Sequence, residues 1–136
     1  MIEVRGLRKR YGELEALAGI SLSIGAGEIF GFIGPNGAGK TTTLRILATV
    51  QDPDEGEVLV AGIDPAKDPE AVRGKLGFMP ETYGLYEDLL VWEYLDLFSR
   101  IYSVPPRIRD RAIADCLELT DLTEKKEALI EHLSRG

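Results

Sequence analysis

The residue types best suited to chemistry lie in one glycine-rich segment, Gly34–Thr42, with the sequence GPNGAGKTT. Its spacing fits the pattern G-x-x-x-x-G-K-[ST], in which glycines let the backbone close around an anion. Backbone N–H groups at the start of a helix lack partners within the helix and carry partial positive charge. The segment therefore predicts a phosphate-binding loop followed by a helix.

We predict a role for each part of this loop. The N–H groups from about Gly37 to Thr42 would surround the phosphates, Lys40 would reach the β- and γ-phosphates, and the Thr41 hydroxyl would ligate Mg²⁺. An ordinary glycine-rich turn before a helix is the alternative. The other predicted nucleotide contacts are Gly34, Asn36, Ala38, Gly39 and Thr42, the last supporting the α-phosphate.

The elements around the loop are predicted from their hydrophobic patterns. The nearly continuous apolar run over 28–33 predicts a parallel strand covered on both faces, and a helix would follow Lys40 and end near Val50. Alternation of apolar and polar residues predicts antiparallel strands earlier in the chain. These antiparallel strands cover residues 2–11 and 16–24. Two more strands are predicted over 57–62 and 76–79, the second of them buried, with a short helix over 69–75.

From Val91 onward the apolar residues recur at helical spacing instead. This pattern predicts one helix starting there, a second from Pro105 and a third beginning near Asp121. Cys116 has helical spacing with apolar neighbours on the second helix, so we predict a buried small hydrophobic side chain and not a reactive thiol. The change of period is typical of an inserted helical subdomain.

The composition limits the possible partners. The 136 residues carry a net charge of −7, so the surface repels nucleic acid and anionic lipid, and nucleotide capture must depend on the local field of the loop. A single cysteine excludes an internal disulfide and fits a reducing compartment. No segment approaches the roughly 20 apolar residues of a membrane span. We therefore predict a cytoplasmic location, with any membrane association made through a partner.

Taken in order, these motifs resemble the ATP-binding subunit of ABC transporters. The aromatic at Tyr11, the loop GPNGAGKTTT, the segment GFMPE and the closing LSRG carry the resemblance. Within this family, the sequence resembles the ABC-2 type exporter ATPases in the segments DEGEVLVAGIDP and GLYEDLLVWEYL. The implied fold is α/β, a P-loop NTPase core of ABC type with an antiparallel β subdomain in residues 1–80 and the inserted helical subdomain in 81–136. We expect this fold to be incomplete.

The resemblance implies two further residues of the same site. Tyr11 matches the aromatic that stacks on adenine, with packing of a strand end as the alternative. Glu81 stands where the family has a glutamine that touches Mg²⁺ and the attacking water. It would be a catalytic and metal-binding residue beside the catalytic Lys40, or else part of a surface loop.

The closing residues resemble the start of the family's signature motif. That motif contacts the γ-phosphate bound by the opposite subunit of a head-to-tail dimer, so Ser134 and Gly136 are the implied contacts. Arg135 departs from the pattern, since it replaces the first glycine of the motif.

The implied function is an ATP-binding subunit that couples ATP binding and hydrolysis to export through a membrane-spanning subunit, at the inner face of the membrane. ATP and Mg²⁺ are the implied cofactors, and ATPase subunits would form a homodimer or heterodimer. The family's hydrolytic residues follow the signature motif, so we expect the 136 residues to bind ATP without turnover. The alternatives are a soluble ABC protein acting on nucleic acid or ribosomes, which the net charge disfavours, and a nucleotide-binding module without turnover.

Overall fold

The computed structural model describes residues 1–80 and 84–133. The chain divides into two compact units, Met1–Met79 and Pro80–Gly136. The roles predicted for Glu81, Ser134 and Gly136 fall outside the described residues.

A three-stranded antiparallel sheet forms the frame of the first unit. It consists of β1 (Ile2–Tyr11), β2 (Leu14–Ile24) and β3 (Glu55–Val60), in the order β2-β1-β3. Gly56 lies where β3 passes a register shift in β1, at φ +99°, and a Cβ there would be 2.7 Å from the carbonyl oxygens of Arg5 and Gly6. Only glycine fits this position. The predicted strands over 2–11, 16–24 and 57–62 are confirmed; the bounds of the second and third differ from the prediction by two residues.

Two helices pack with this sheet in the first unit, α1 (Lys40–Leu47) and α2 (Pro69–Arg73). α1 ends before the predicted Val50 because Thr49 takes a left-handed conformation, with φ +60°. Burial of each large aliphatic side chain here contributes about 1.5–3 kcal/mol. The buried core comprises Val4, Leu7, Leu17, Ile46, Leu47, Val58, Val60 and Val72.

The two predicted buried strands over 28–33 and 76–79 are absent from the structure. Ile29 and Ile33 are fully exposed, and Met79 is 85% exposed. A parallel strand exists only as a member of a ladder, because its backbone groups need a neighbouring strand. No strand within the described parts of the chain pairs with either segment, so their apolar sequence alone does not make them β-structure.

The second unit is built around α3 (Val91–Ile101) and α4 (Pro106–Leu119). Glu93 accepts a hydrogen bond from the Leu90 amide at 2.9 Å and caps the start of α3. The predicted third helix is only a 3₁₀ turn, Thr123–Lys125, and a second such turn spans Ile130–His132. The core of this unit is made by Val91, Leu117 and Ile130.

Cys116 is exposed, so its predicted burial is wrong. Ile113 and Leu117 form the packed stripe of α4, and Cys116 lies about 100° around the helix from Leu117. Ile108 of the same helix is also 49% exposed. The hydrophobic face of α4 is therefore narrower than its sequence indicates. Across the described ranges, 1–80 and 84–133, no helix has the length and apolar character needed to cross a membrane.

Candidate nucleotide-binding site

The phosphate loop leads directly into α1 and is held against β2. Gly37 and Gly39 have φ of +83° and +82°, and Gly39 is the N-cap residue of α1. A Cβ on Gly39 would lie 2.7 Å from the Ala16 carbonyl oxygen and would also overlap the Leu17 side chain. Glycine thus allows both the left-handed turn and the close approach of the loop to the sheet.

The start of α1 offers backbone donors that no residue in the described ranges occupies. Among the residues that the structure describes, the Lys40, Thr41 and Thr42 amides find no hydrogen-bond acceptor, whereas the Thr43 amide donates to the Gly39 carbonyl at 2.9 Å. No side chain caps this helix, and its first turn has no acidic residue. These donors can bind an anion, and the helix dipole favours one there.

The Lys40 side chain folds back over the loop. Its Nζ donates hydrogen bonds to the carbonyl oxygens of Gly34 and Pro35, both at 2.7 Å. The Ala38 amide donates to the same Pro35 oxygen at 3.3 Å and closes the turn beneath it. Because an ammonium group has three donors, Lys40 keeps one for a phosphate oxygen while its charge stays at the loop.

Thr41 and Thr43, both in the first turn of α1, differ in whether the hydroxyl is free to bind a metal ion. Thr41 is exposed, and no hydrogen bond is formed by its hydroxyl within the described residues. The Thr43 hydroxyl is buried and donates to the Gly39 carbonyl at 2.9 Å. A free hydroxyl suits Mg²⁺, which commonly takes one or two protein oxygens together with phosphate oxygens and water. No cluster of three or more His, Cys, Asp or Glu side chains in the described ranges offers a competing metal site.

Tyr11 lies at the end of β1, a short distance along the sheet from the loop. Its side chain is 46% exposed, and its hydroxyl donates to Gln51 Oε1 at 2.8 Å. Tyr11 pairs with Leu14 of β2, while Gly39 approaches Ala16 of the same strand. At about 3.4 Å per residue along a strand, this offset corresponds to roughly 7–10 Å. Tyr11 and Gly39 therefore approach β2 within about three residues of each other.

The first unit also contains a cavity of about 590 Å³ that is distinct from the loop. It is lined by the end of α1, part of β3 and the segment 64–73, and no residue of Gly34–Thr42 faces it. The phosphate loop instead lies on an open surface, with Gly34 to Ala38 all exposed. We therefore place the candidate site at the loop because of its hydrogen-bond donors and its lysine, and not at the cavity because of its size.

Sequence reasoning missed the contact of Gln51 with Tyr11. Gln51 lies in the turn QDPDEG after α1, and that composition predicts a turn without indicating what the turn touches. A glutamine 40 positions from its partner gives no local signal.

A left-handed glycine that opens a helix with free amides, within the spacing G-x-x-x-x-G-K-[ST], is the local arrangement of a phosphate-binding P-loop. The family described as ABC transporter matches residues 17–136, so the chain belongs to the ABC transporter ATP-binding family. Solved ABC structures share the fold. An ATP-binding subunit of an ABC transporter superimposes with a TM-score of 0.84 at 29% identity, covering 99% of this chain and 56% of that one.

Curated relatives and a second solved structure agree with this assignment. A probable multidrug ABC transporter ATP-binding protein of Escherichia coli is 41% identical across the whole chain, which covers 24% of that relative. The Nod factor export ATP-binding protein I of Ralstonia nicotianae is 38% identical, again over the whole chain and 42% of the relative. A dimeric ATP-binding cassette solved in a post-hydrolysis state with ADP and Pi has a TM-score of 0.80 at 26% identity, covering 98% of this chain and 63% of that one.

These comparisons confirm the predicted family and its fold class, a P-loop NTPase core of ABC type. The chain spans about a quarter to two fifths of the length of these curated relatives.

Proposed function

We propose that this chain binds Mg-ATP at Gly34–Thr42 and forms the ATP-binding part of a transporter subunit that drives export. The observation that carries the proposal is the start of α1, where unoccupied amides and the Lys40 ammonium group converge on one loop. Membership of the ABC family supports ATP as the ligand. Relatives named for multidrug transport, Nod factor export and daunorubicin resistance support export as the process.

Each described residue of the site has one proposed task. The amides of Lys40, Thr41 and Thr42 hold the phosphate oxygens, Lys40 adds the positive charge, and the Thr41 hydroxyl ligates Mg²⁺. When bound, the metal ion would neutralise negative charge on the β- and γ-phosphates. Tyr11 stacks on the base, a contact worth on the order of 1–3 kcal/mol.

Hydrolysis and coupling are proposed for a complete ABC ATPase subunit. There Glu81 would bind Mg²⁺ and orient the attacking water, and Ser134 and Gly136 would contact the nucleotide of a second ATPase subunit. The dimeric cassettes among the solved neighbours support pairing of two such subunits. A membrane-spanning subunit is the proposed partner, which would keep this chain at the inner face of the membrane.

A calorimetric titration with Mg-ATP tests the binding site, using the wild-type chain and the Lys40→Ala variant. We expect saturable binding that Lys40→Ala weakens by about 10- to 100-fold, because hydrogen bonds to charged groups contribute about 1.5–3 kcal/mol. Arg45→Ala is the matched control, since it removes the same charge from the exposed side of the same helix. Equal affinities of the wild-type chain and Lys40→Ala would refute the assignment of the loop.

A further inference from the structure

The turn of residues 51–54, which follows α1, is fastened to the end of β1 by side-chain contacts. The Asp54 carboxylate accepts from the Arg10 amide at 2.7 Å and from Lys9 Nζ at 2.8 Å, and the Asp54 amide donates to the Arg8 carbonyl at 3.0 Å. A fourth hydrogen bond joins the turn to β1, from the Tyr11 hydroxyl to Gln51. The last four residues of β1 are thereby held to the turn.

Gln51 engages the Tyr11 hydroxyl with both polar atoms of its amide. Oε1 accepts from the hydroxyl at 2.8 Å, and Nε2 donates to the hydroxyl oxygen. Gln51 is itself half-buried, which limits the freedom of its side chain. The phenol is therefore held at its far end, while 46% of the Tyr11 side chain remains open to a ligand.

Holding the phenol in one place has an energetic consequence for stacking. An unrestrained tyrosine at a strand end loses rotamer freedom when a base packs on it, and this loss opposes binding. A ring that is already fixed through its hydroxyl has less freedom to lose. We propose that Gln51 is a positioning residue that orients the Tyr11 ring for the nucleotide base, an inference that rests on the proposed binding of ATP at this site.

The test compares a ligand that has a base with one that lacks it. Mg-ATP and magnesium tripolyphosphate are titrated calorimetrically into the wild-type chain and the Gln51→Leu variant, which keeps the size of the side chain and removes its polar atoms. We expect Gln51→Leu to weaken Mg-ATP by about 3- to 10-fold, the range of a single hydrogen bond, and to leave tripolyphosphate within about twofold. Asp52→Asn is the matched control in the same turn, because the Asp52 side chain forms no hydrogen bond with Tyr11.

A second substitution separates positioning from support of the turn. Tyr11→Phe keeps the ring and removes the hydroxyl, so it should reproduce the loss of Mg-ATP affinity, and adding Gln51→Leu to it should cost no more than twofold. Equal weakening of both ligands by Gln51→Leu, or additive losses in the double variant, would overturn the proposal. If the wild-type chain binds tripolyphosphate and ATP but Gln51→Leu changes neither, the positioning role fails while the proposed function stands. If the wild-type chain binds neither ligand, both fail together.

Discussion

At the scale of single residues, Gly39 and Gly37 show two different reasons why the phosphate loop needs glycine. One is a left-handed backbone conformation, and the other is close packing on β2. Both glycines have a left-handed backbone, with φ near +80°. A Cβ on Gly39 would meet the Ala16 backbone and Leu17, whereas a Cβ on Gly37 would have nothing within 4 Å. Gly37 is needed for conformation alone, and Gly39 for conformation together with close packing on β2.

We therefore expect Gly39→Ala to be the more damaging of the two substitutions. The left-handed conformation costs alanine roughly 1–2 kcal/mol at either position, and at Gly39 the backbone must also shift away from β2. Mg-ATP affinity should fall at least about 10-fold more in Gly39→Ala than in Gly37→Ala, with a lower melting temperature. Calorimetric titration and thermal unfolding of both variants give the comparison. Equal losses in the two would show that the contact with β2 is unimportant.

The residues of the loop were predictable from sequence because the motif is local. Glycines, Lys40 and Thr41 occur at fixed spacing, and the whole sequence pattern that predicts a phosphate-binding loop lies within nine positions. The contact between Tyr11 and Gln51 was not predictable, since it depends on how α1 returns the chain to β1.

At the scale of elements, the attachment of the turn 51–54 to β1 depends on the ionisation of Asp54. The hydrogen bond from Lys9, followed by that from the Arg10 amide, holds the pKa of this carboxyl below its ordinary value of 3.8. A carboxyl whose pKa is lower in the folded state stabilises the fold when ionised. Its contribution is complete well above pH 3.8 and is lost as the pH falls through the lowered pKa.

We expect Asp54→Asn to lower the free energy of unfolding at neutral pH and to converge on the wild type in acid. Urea denaturation from about pH 6.5 down to about pH 3 measures the difference between the two chains. Asp64→Asn serves as a comparison, because the pKa of Asp64 is also lowered, by Lys67 and by the Ala66 amide, at a position away from β1. A difference between Asp54→Asn and the wild type that stays constant with pH would exclude the ionisation of Asp54 as its cause.

Sequence patterns predicted the elements whose partners lie close along the chain. The β1–β2 hairpin and the helices α3 and α4 need only neighbouring residues to pair or pack, and all were predicted. The segments 28–33 and 76–79 have equally apolar sequences, but a parallel strand takes its hydrogen bonds from strands distant in sequence. The local sequence pattern of these two segments therefore predicted burial, but it could not show which strands would cover them.

At the scale of the whole molecule, the distribution of charge opposes a nucleic-acid partner. The chain has 16 Lys and Arg against 23 Asp and Glu. The basic segment Arg8-Lys9-Arg10 is the main local exception to this balance, yet all three of its side chains are paired. The ion pairs are Arg8 with Glu15 and Glu55, Lys9 with Asp54, and Arg10 with Glu15.

Binding to duplex DNA requires Lys and Arg side chains that neutralise phosphates and release counterions. The cationic side chains of β1 are already paired with carboxylates, so a DNA phosphate would have to displace those carboxylates. It would also be repelled by the net charge of −7 on the chain. We expect no saturable binding of a duplex oligonucleotide by fluorescence anisotropy, even at about 0.05 M salt, where electrostatic attraction is strong. Titrating Mg-ATP into the same sample shows that the protein is folded and active in binding. DNA binding that weakens steeply with added salt would instead favour an ABC protein acting on nucleic acid over a transporter subunit.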